Sequence, residues 1–311
     1  MNTIGTLFRF TDFGESHGKA VGGVIDGCPA NLSIDFEAIR RDLDRRAGRG
    51  LDYIGISERA KAENDEVIWL SGIKDGQTLG TPIAFYIPNK EQCPEDYQAL
   101  EKTYRPAHAD LVYEQKYGIR DFRGGGRASG RETAARVVAG AIAKQVLRKY
   151  GISVNSHINQ VGNATTKEQI NTLLQSLKDQ NNSIGAIVST EIQGLPAGIG
   201  EPIFDKLSAR LAFAVMSIGG CRGFDFDEGF EGISKSGKEQ NPLPHSILGG
   251  ISTGKTIRFR SVFKPTASIG IGGRHDVCFA LRVPPVIEAM TAICLTDLIF
   301  CAQNFANNLQ K

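Results

Sequence analysis

The segment Arg105–Glu132, RPAHADLVYEQKYGIRDFRGGGRASGRE, constrains this chain more than any other stretch. It places a titratable imidazole, His108, among the cations Arg105, Arg120, Arg123, Arg127 and Arg131. It then breaks into three consecutive glycines before a helix start. Cations, an imidazole and permissive backbone in one loop make an anion site with an acid or base inside it. A solvated surface loop is the plainer alternative. The helix start weighs against it, because unpaired N–H groups and a positive dipole end would face the GGGRAS loop.

Any such site must be a local cluster. Lys+Arg 36 against Asp+Glu 34 leaves a formal net charge of +2, which gives no general reason to bind nucleic acid or a membrane surface. The six cysteines, Cys28, Cys93, Cys221, Cys278, Cys294 and Cys301, include no CxxC pair and no metal-ligand spacing. They read as buried free thiols in a reducing compartment, and no metal site is expected. The N-terminal residues lack a basic region followed by an apolar run, so no signal peptide is read there. The apolar stretch Val283–Phe300 carries Glu288 and Asp297 and reads as a buried helix, not a membrane span. A cytoplasmic protein is expected.

Strand and helix patterns are mixed along the chain. Residues 4–13 read as one strand, ending in Gly14-Glu15-Ser16-His17-Gly18, where flanking glycines present two polar side chains. Ala20–Asp26 is a second strand. Ser33 is placed to cap a helix that runs to about Arg46, with Asp35 and Glu37 in its first turn. Arginines 40, 41, 45, 46, 49 and 59 could clamp a phosphate, or merely serve the helix C-terminus. Short strands follow at 67–70 and 83–87. Ser129 and Glu132 form a capping-box pattern, and Ala134, Val137, Val138, Ala141, Ile142 and Val146 recur at helical spacing after it.

The half beyond Gly151 reads as a second lobe, giving one domain with two pseudo-similar lobes, about 1–150 and 151–311. Strands are expected at 152–161 and 184–192, flanking a polar helix at 167–179. A helix at 201–218 is built on Phe204, Leu207, Leu211 and Val215, and residues 223–245 read as mobile. The run GGISTGKT, with Gly249 five before Gly254 and then Lys255-Thr256, fits the P-loop spacing. Ile257–Phe263 behind it alternates like a strand, so the P-loop reading is rejected. Gly272-Gly273-Arg274-His275-Asp276 forms a third polar cluster, and a helix closes the chain from about Pro285 to Asn307.

FGESHG, RPAHADLVYEQKYGIRDFRGGGRASGRE, KPTAS and GRHD, in that order, resemble chorismate synthase, as do DLDRR, GLPAGIGEPIFDKL and ILGGIS. The resemblance implies an α+β fold, a β-α-β sandwich with central helices between antiparallel sheets. It implies a 1,4-anti elimination of phosphate from 5-enolpyruvylshikimate 3-phosphate to give chorismate in the shikimate pathway of aromatic amino acid biosynthesis. It implies a requirement for reduced FMN and a homotetramer. NADPH as the flavin reductant, or an external flavin reductase, is left open.

Residue by residue, the resemblance carries over as follows. His17 and His108 match the two active-site histidines, one protonating the leaving phosphate and the other holding the reduced flavin in its proper ionisation state. Asp276 matches a carboxylate that assists removal of the C6 hydrogen. Ser16, Arg46, Arg49, Arg105, Arg131 and Arg274 fall on the substrate side, with Arg59 a replacement for Arg49. Arg127, Ala128, Ser129, Gly219, Gly220, Gly249, Lys264, Pro265, Thr266, Ala267, Ser268 and Arg274 fall on the FMN side.

The chain also departs from the family pattern. Ala128 stands where a serine is usual, Gly219-Gly220 where Asn-Ala is usual, and Pro242–Ser246 where Asn-His-x-Gly-Gly is usual. Loops before Ile247 and between Ile269 and Gly272 are shorter, each by on the order of twenty residues, within ordinary loop variation. A shorter cover over the flavin would weaken its retention. Two readings follow: a trimmed but working enzyme, or a relative that binds flavin or another anion without turnover. Retention of His17, His108, Arg274 and Asp276 favours the enzyme.

Overall fold

A computed structural model describes residues 1–57, 61, 64–90, 97–98, 100–226, 229–267 and 275–309. Two antiparallel sheets enclose a pair of buried helices. The first sheet has the order β1 (Thr3–Ile4), β2 (Arg9–Gly14), β3 (Ala20–Asp26), β7 (Ile83–Pro88) and β4 (Ile68–Trp69). The second has the order β10 (Cys221–Phe226), β13 (Ile257–Phe263), β9 (Ala186–Gln193) and β8 (Ser153–Val161). Two short hairpins, β5–β6 (Ile73–Lys74 and Gln77–Thr78) and β11–β12 (Ile247–Leu248 and Ile251–Ser252), stand apart. The α+β sandwich expected from the resemblance is present.

Alternation explains the sheets. Ile83, Phe85 and Ile87 of β7 are fully buried, as are Val188 and Ile192 of β9 and Ile257 of β13. Their neighbours in each strand point to the other face. Between the sheets, helix α3 (Thr133–Arg148) crosses helix α7 (Pro284–Leu309). Gly140 makes the crossing close: a Cβ there would lie 2.2 Å from Ala289 Cα. The buried side chains of both sheets and both helices form one contiguous core.

Helix α7 is apolar and long enough to cross a membrane by length and composition, but most of that stretch is buried inside the protein. Its two carboxylates are captured. Glu288 accepts from Arg45 of helix α1 (Phe36–Ala47) at 2.7 and 2.8 Å, from Lys144 at 3.1 Å and from the Ser156 N–H at 3.0 Å. Burial pushes its carboxyl up, but these donors outweigh it and hold it below the ordinary value. Asp297 accepts from the N–H groups of Thr6, Leu7 and Phe8 at 2.8, 2.7 and 3.1 Å, and from Arg210 at 3.1 Å.

That Asp297 contact corrects the first strand. Residues 4–13 are not one strand but a hairpin, because Gly5 turns at φ +97° and the following N–H groups wrap the carboxylate. The cap of α1 is Asp35, not Ser33; its side chain accepts from the Ala38 N–H at 2.8 Å. Buried Gln145 of α3 brackets the same turn through both the Asp35 N–H and C=O. The helix expected at 201–218 is α5, Leu207–Met216, after helices α2 (Asp110–Tyr117) and α4 (Lys167–Asp179). Pro202 and a positive φ at Ile203 keep the preceding residues out of it, and Phe204 is exposed instead of packed. The described part of the segment 223–245 carries the end of β10, a 3₁₀ turn at Glu231–Ser234 and helix α6 (Gly237–Gln240). Behind GGISTGKT the chain enters β13, not a helix, in accord with rejecting a P-loop.

Candidate active site

The N-terminal end of α3 opens into a cavity of about 950 Å³ between the sheets. That volume is at the upper end of small-molecule sites, roughly 300–1,000 Å³. The polar turn after β2, the 105–132 segment, the turn entering β10 and the segment after β13 all reach its wall. Residues from both halves of the chain therefore meet here.

The glycine run has a specific role. Gly124, Gly125 and Gly126 all have positive φ, +64°, +93° and +52°. A Cβ on Gly124 would lie 2.1 Å from His17 Cδ2 and 2.6 Å from Ser16 Oγ. One on Gly125 would lie 2.9 Å from His108 Cε1 and 3.1 Å from Arg105 Nη2. The bare backbone is thus wedged between the two histidines, where any side chain would displace one of them. His17 is almost wholly buried, edge-on to Tyr97 at 4.8 Å between ring centroids. Ser16 Oγ is buried with no hydrogen-bond partner among the described residues.

Asp110 joins the other histidine to an arginine. His108 Nδ1 is 2.8 Å from Asp110 Oδ1, while Arg105 Nε and Nη2 donate to the same carboxylate at 2.8 Å each. Burial pushes the Asp110 carboxyl up, but the bonds from Arg105 and His108 prevail and hold it well below the usual range. Asp276 is also fixed: Arg282 Nε and Nη2 donate to its Oδ2 at 2.8 and 2.6 Å, and the Ser57 N–H donates to Oδ1 at 2.8 Å.

The capping box expected at Ser129 and Glu132 does not form. Two 3₁₀ turns, Gly126–Ala128 and Gly130–Glu132, lead into α3, and Ser129 Oγ accepts from the Arg131 N–H at 3.3 Å. Glu132 turns away to pair with Arg127, which also pairs with Asp12 of β2. Burial, with Asp12 and Glu15 adding to it against Arg127, pushes the Glu132 carboxyl up to about 8. The Arg127 contact wins over a capping bond because it gives a buried carboxyl a donor partner.

Of the residues expected in the site, Ser16, His17, Arg46, Arg105, His108, Arg127, Ala128, Ser129, Arg131, Gly219, Gly220, Lys264, Thr266, Ala267 and Asp276 all line this cavity. Arg49 does not; its guanidinium bonds Asp44 and the Lys61 carbonyl. Pro265 is not at the wall, and Gly249 sits in the turn of the β11–β12 hairpin. Arg59, Ser268 and Arg274 lie outside the described residues. Within the 105–132 segment, Arg120 and Arg123 are spent structurally, Arg120 on Glu114 and three carbonyls, Arg123 on Asp121.

Asp65, Glu132, Arg222 and Arg282 also line the cavity, and Asp110 holds two of its wall residues, Arg105 and His108; all five were missed from the sequence. Asp110 and Glu132 were visible inside the segment as charges, but nothing in their spacing named their partners. Asp65 and Arg282 carried no local signal.

The family model for chorismate synthase matches residues 8–272. This chain belongs to the chorismate synthase family. It is 40% identical to a chorismate synthase of Nitratidesulfovibrio vulgaris (strain DP4), covering 98% of this chain and 98% of that one. It is 41% identical to a chorismate synthase of Porphyromonas gingivalis (strain ATCC BAA-308 / W83), covering 98% and 97%. The first alignment runs over 351 positions against 311 residues here, so the relative carries residues that this chain lacks. A crystal structure of chorismate synthase superposes with a TM-score of 0.76 at 27% identity, covering 96% of this chain and 93% of that one. The chain is accordingly a lyase of aromatic biosynthesis that makes chorismate from a phosphorylated small-molecule substrate.

Proposed function

We propose that this cavity binds 5-enolpyruvylshikimate 3-phosphate beside reduced FMN and eliminates phosphate to give chorismate with its own histidines and Asp276. The observation that carries this reading is the Asp110 bridge, one carboxylate that joins an imidazole and a guanidinium of the cavity wall. An anionic leaving group needs that pair: a fixed cation to receive its charge and an acid to protonate it.

Arg46, Arg105 and Arg131, all at the cavity wall, receive the substrate's anionic groups. His108, held by Asp110, gives its proton to the departing phosphate. His17, in the drier position against Tyr97, holds the flavin side in its working ionisation state. Asp276, oriented by Arg282 and the Ser57 N–H, assists loss of the C6 hydrogen.

The residues present suit FMN. Gly219 leaves open wall, since a Cβ there would meet only the Ala128 carbonyl, at 4.0 Å. Lys264 and Arg222 face the same space: burial first, then the Arg222 charge, pull the Lys264 ammonium below its ordinary value. When bound in reduced form, FMN supplies electron density to the ring that loses phosphate. Lys264, Thr266 and Ala267 would hold it with Ala128, Ser129, Gly219 and Gly220; Pro265, Gly249, Ser268 and Arg274 belong to the same reading. Arg49, Arg59 and Arg274 are retained on the substrate side as family-matched positions. The same reading makes the protein cytoplasmic and homotetrameric, with flavin reduced by NADPH or by an external reductase.

The test is an anaerobic assay with photoreduced FMN and the enolpyruvyl substrate, followed by chorismate absorbance. Product formed only with reduced FMN supports the reading. Flavin binding without product, in folded protein, would instead favour a relative that has lost turnover.

A further inference from the structure

Behind the proposed substrate arginines lies a carboxylate that no part of the reaction uses. Asp65 has a side chain 1% exposed, deeper than those of Arg46 at 3% and Arg131 at 11%. It gives one oxygen to each: Oδ2 to Arg46 Nη1 at 3.2 Å, and Oδ1 to Arg131 Nη1. Further bonds orient each guanidinium. Arg46 Nε reaches Thr133 Oγ1 at 3.0 Å and its Nη2 reaches the Gly130 carbonyl at 3.0 Å; Arg131 Nε reaches Asn89 Oδ1 at 2.9 Å. Both arginines and Asp65 line the cavity.

Two cations side by side in a poorly solvated wall repel each other and would splay. A shared carboxylate between them removes that repulsion and fixes two planar groups at once. We propose that Asp65 is a positioning residue for substrate recognition, holding Arg46 and Arg131 together so that the wall presents a preset pair of guanidinium groups to the anionic substrate. This rests on the reading that those arginines face the substrate. Each Asp65 oxygen is taken by one arginine, so the carboxylate supports the pair and does not itself receive substrate.

The test is steady-state kinetics of Asp65→Asn, Asp65→Glu and Arg131→Lys with saturating reduced FMN. Asp65→Asn should raise KM for the enolpyruvyl substrate about tenfold, the loss of one charge-assisted bond, with kcat within about twofold. FMN affinity, read by flavin fluorescence, should not change. Added to Arg131→Lys, Asp65→Asn should raise KM by less than it does alone, because part of its effect runs through Arg131. An unchanged KM in Asp65→Asn overturns the proposal. So does a lowered KM, which a carboxylate competing with substrate would give. If Asp65→Asn does not fold, Asp65→Glu decides: the longer side chain should raise KM, and a wild-type KM refutes the positioning role. An unchanged KM in Arg131→Lys would refute the placement of Arg131 against substrate, a separate failure.

Discussion

His108 Nδ1 and Asp110 Oδ1 lie 2.8 Å apart, and the same carboxylate receives two N–H bonds from Arg105. Because its carboxyl is held well below the usual range, Asp110 is ionised and can only accept. His108 Nδ1 therefore donates to Asp110, and Nε2 is the atom left for chemistry in the cavity, where the proton given to phosphate is a second one carried on Nε2.

Asp110→Asn tests that arrangement. The amide can donate as well as accept, so the ring is no longer fixed in one tautomer, and Arg105 loses its charged partner. We expect kcat to fall on the order of 100-fold, the lower end of what a positioned acid–base group contributes. Rapid-quench or continuous chorismate assays would measure it. A kcat near wild type would remove His108 from the proton transfer.

Gly125→Ala and Gly124→Ala should damage the site more than the fold. Each puts a methyl group against a histidine and forces a non-glycine residue to positive φ, a strain of about 1–3 kcal/mol. Activity should fall in both, with near-native circular dichroism. Full activity in either variant would show that the histidine it faces is not where turnover needs it.

Glu132 makes stability depend on pH. Its folded value, about 8, lies above its ordinary 4.5, so its contribution is complete below pH 4.5 and disappears as pH rises through 8. Glu132→Gln stays neutral throughout. Its melting temperature relative to wild type should rise between pH 6 and pH 8.5 by a few degrees, the shift that about 2–3 kcal/mol produces in a protein of this size. Thermal unfolding at the two pH values measures it, and parallel wild-type and variant curves would contradict the elevated value.

Asp297→Ala leaves three backbone N–H groups and Arg210 without their acceptor. Breaking a buried charge out of such a cluster costs about 3–5 kcal/mol. Urea unfolding should show it as a lower midpoint. A loss under about 1 kcal/mol would mean that the N-terminal hairpin is held by its strand pairing and not by the carboxylate.

Periodicity made several elements legible: helix α4 at 167–179, the alternating strands β7 and β9, and the apolar run that became α7. Local rules failed where a distant charge competed. Ser129 and Glu132 satisfied the capping-box pattern, yet Arg127, itself anchored on Asp12, claimed the glutamate. Residues 4–13 alternated like one strand, yet Asp297, far along the chain, drew three of their N–H groups into a turn.

By itself the sequence determined the chemistry available here: two histidines in glycine-flanked turns, arginines in motif order, and the family to which they belong. Only the tertiary structure decided which charges answer to each other. Asp110 on His108, Arg282 on Asp276 and Asp65 between Arg46 and Arg131 are pairings of side chains, and the last of them joins residues far apart in the chain. A buried charge must find a partner in space, and spacing along the chain does not say which one lies within reach once the sheets close on α3 and α7.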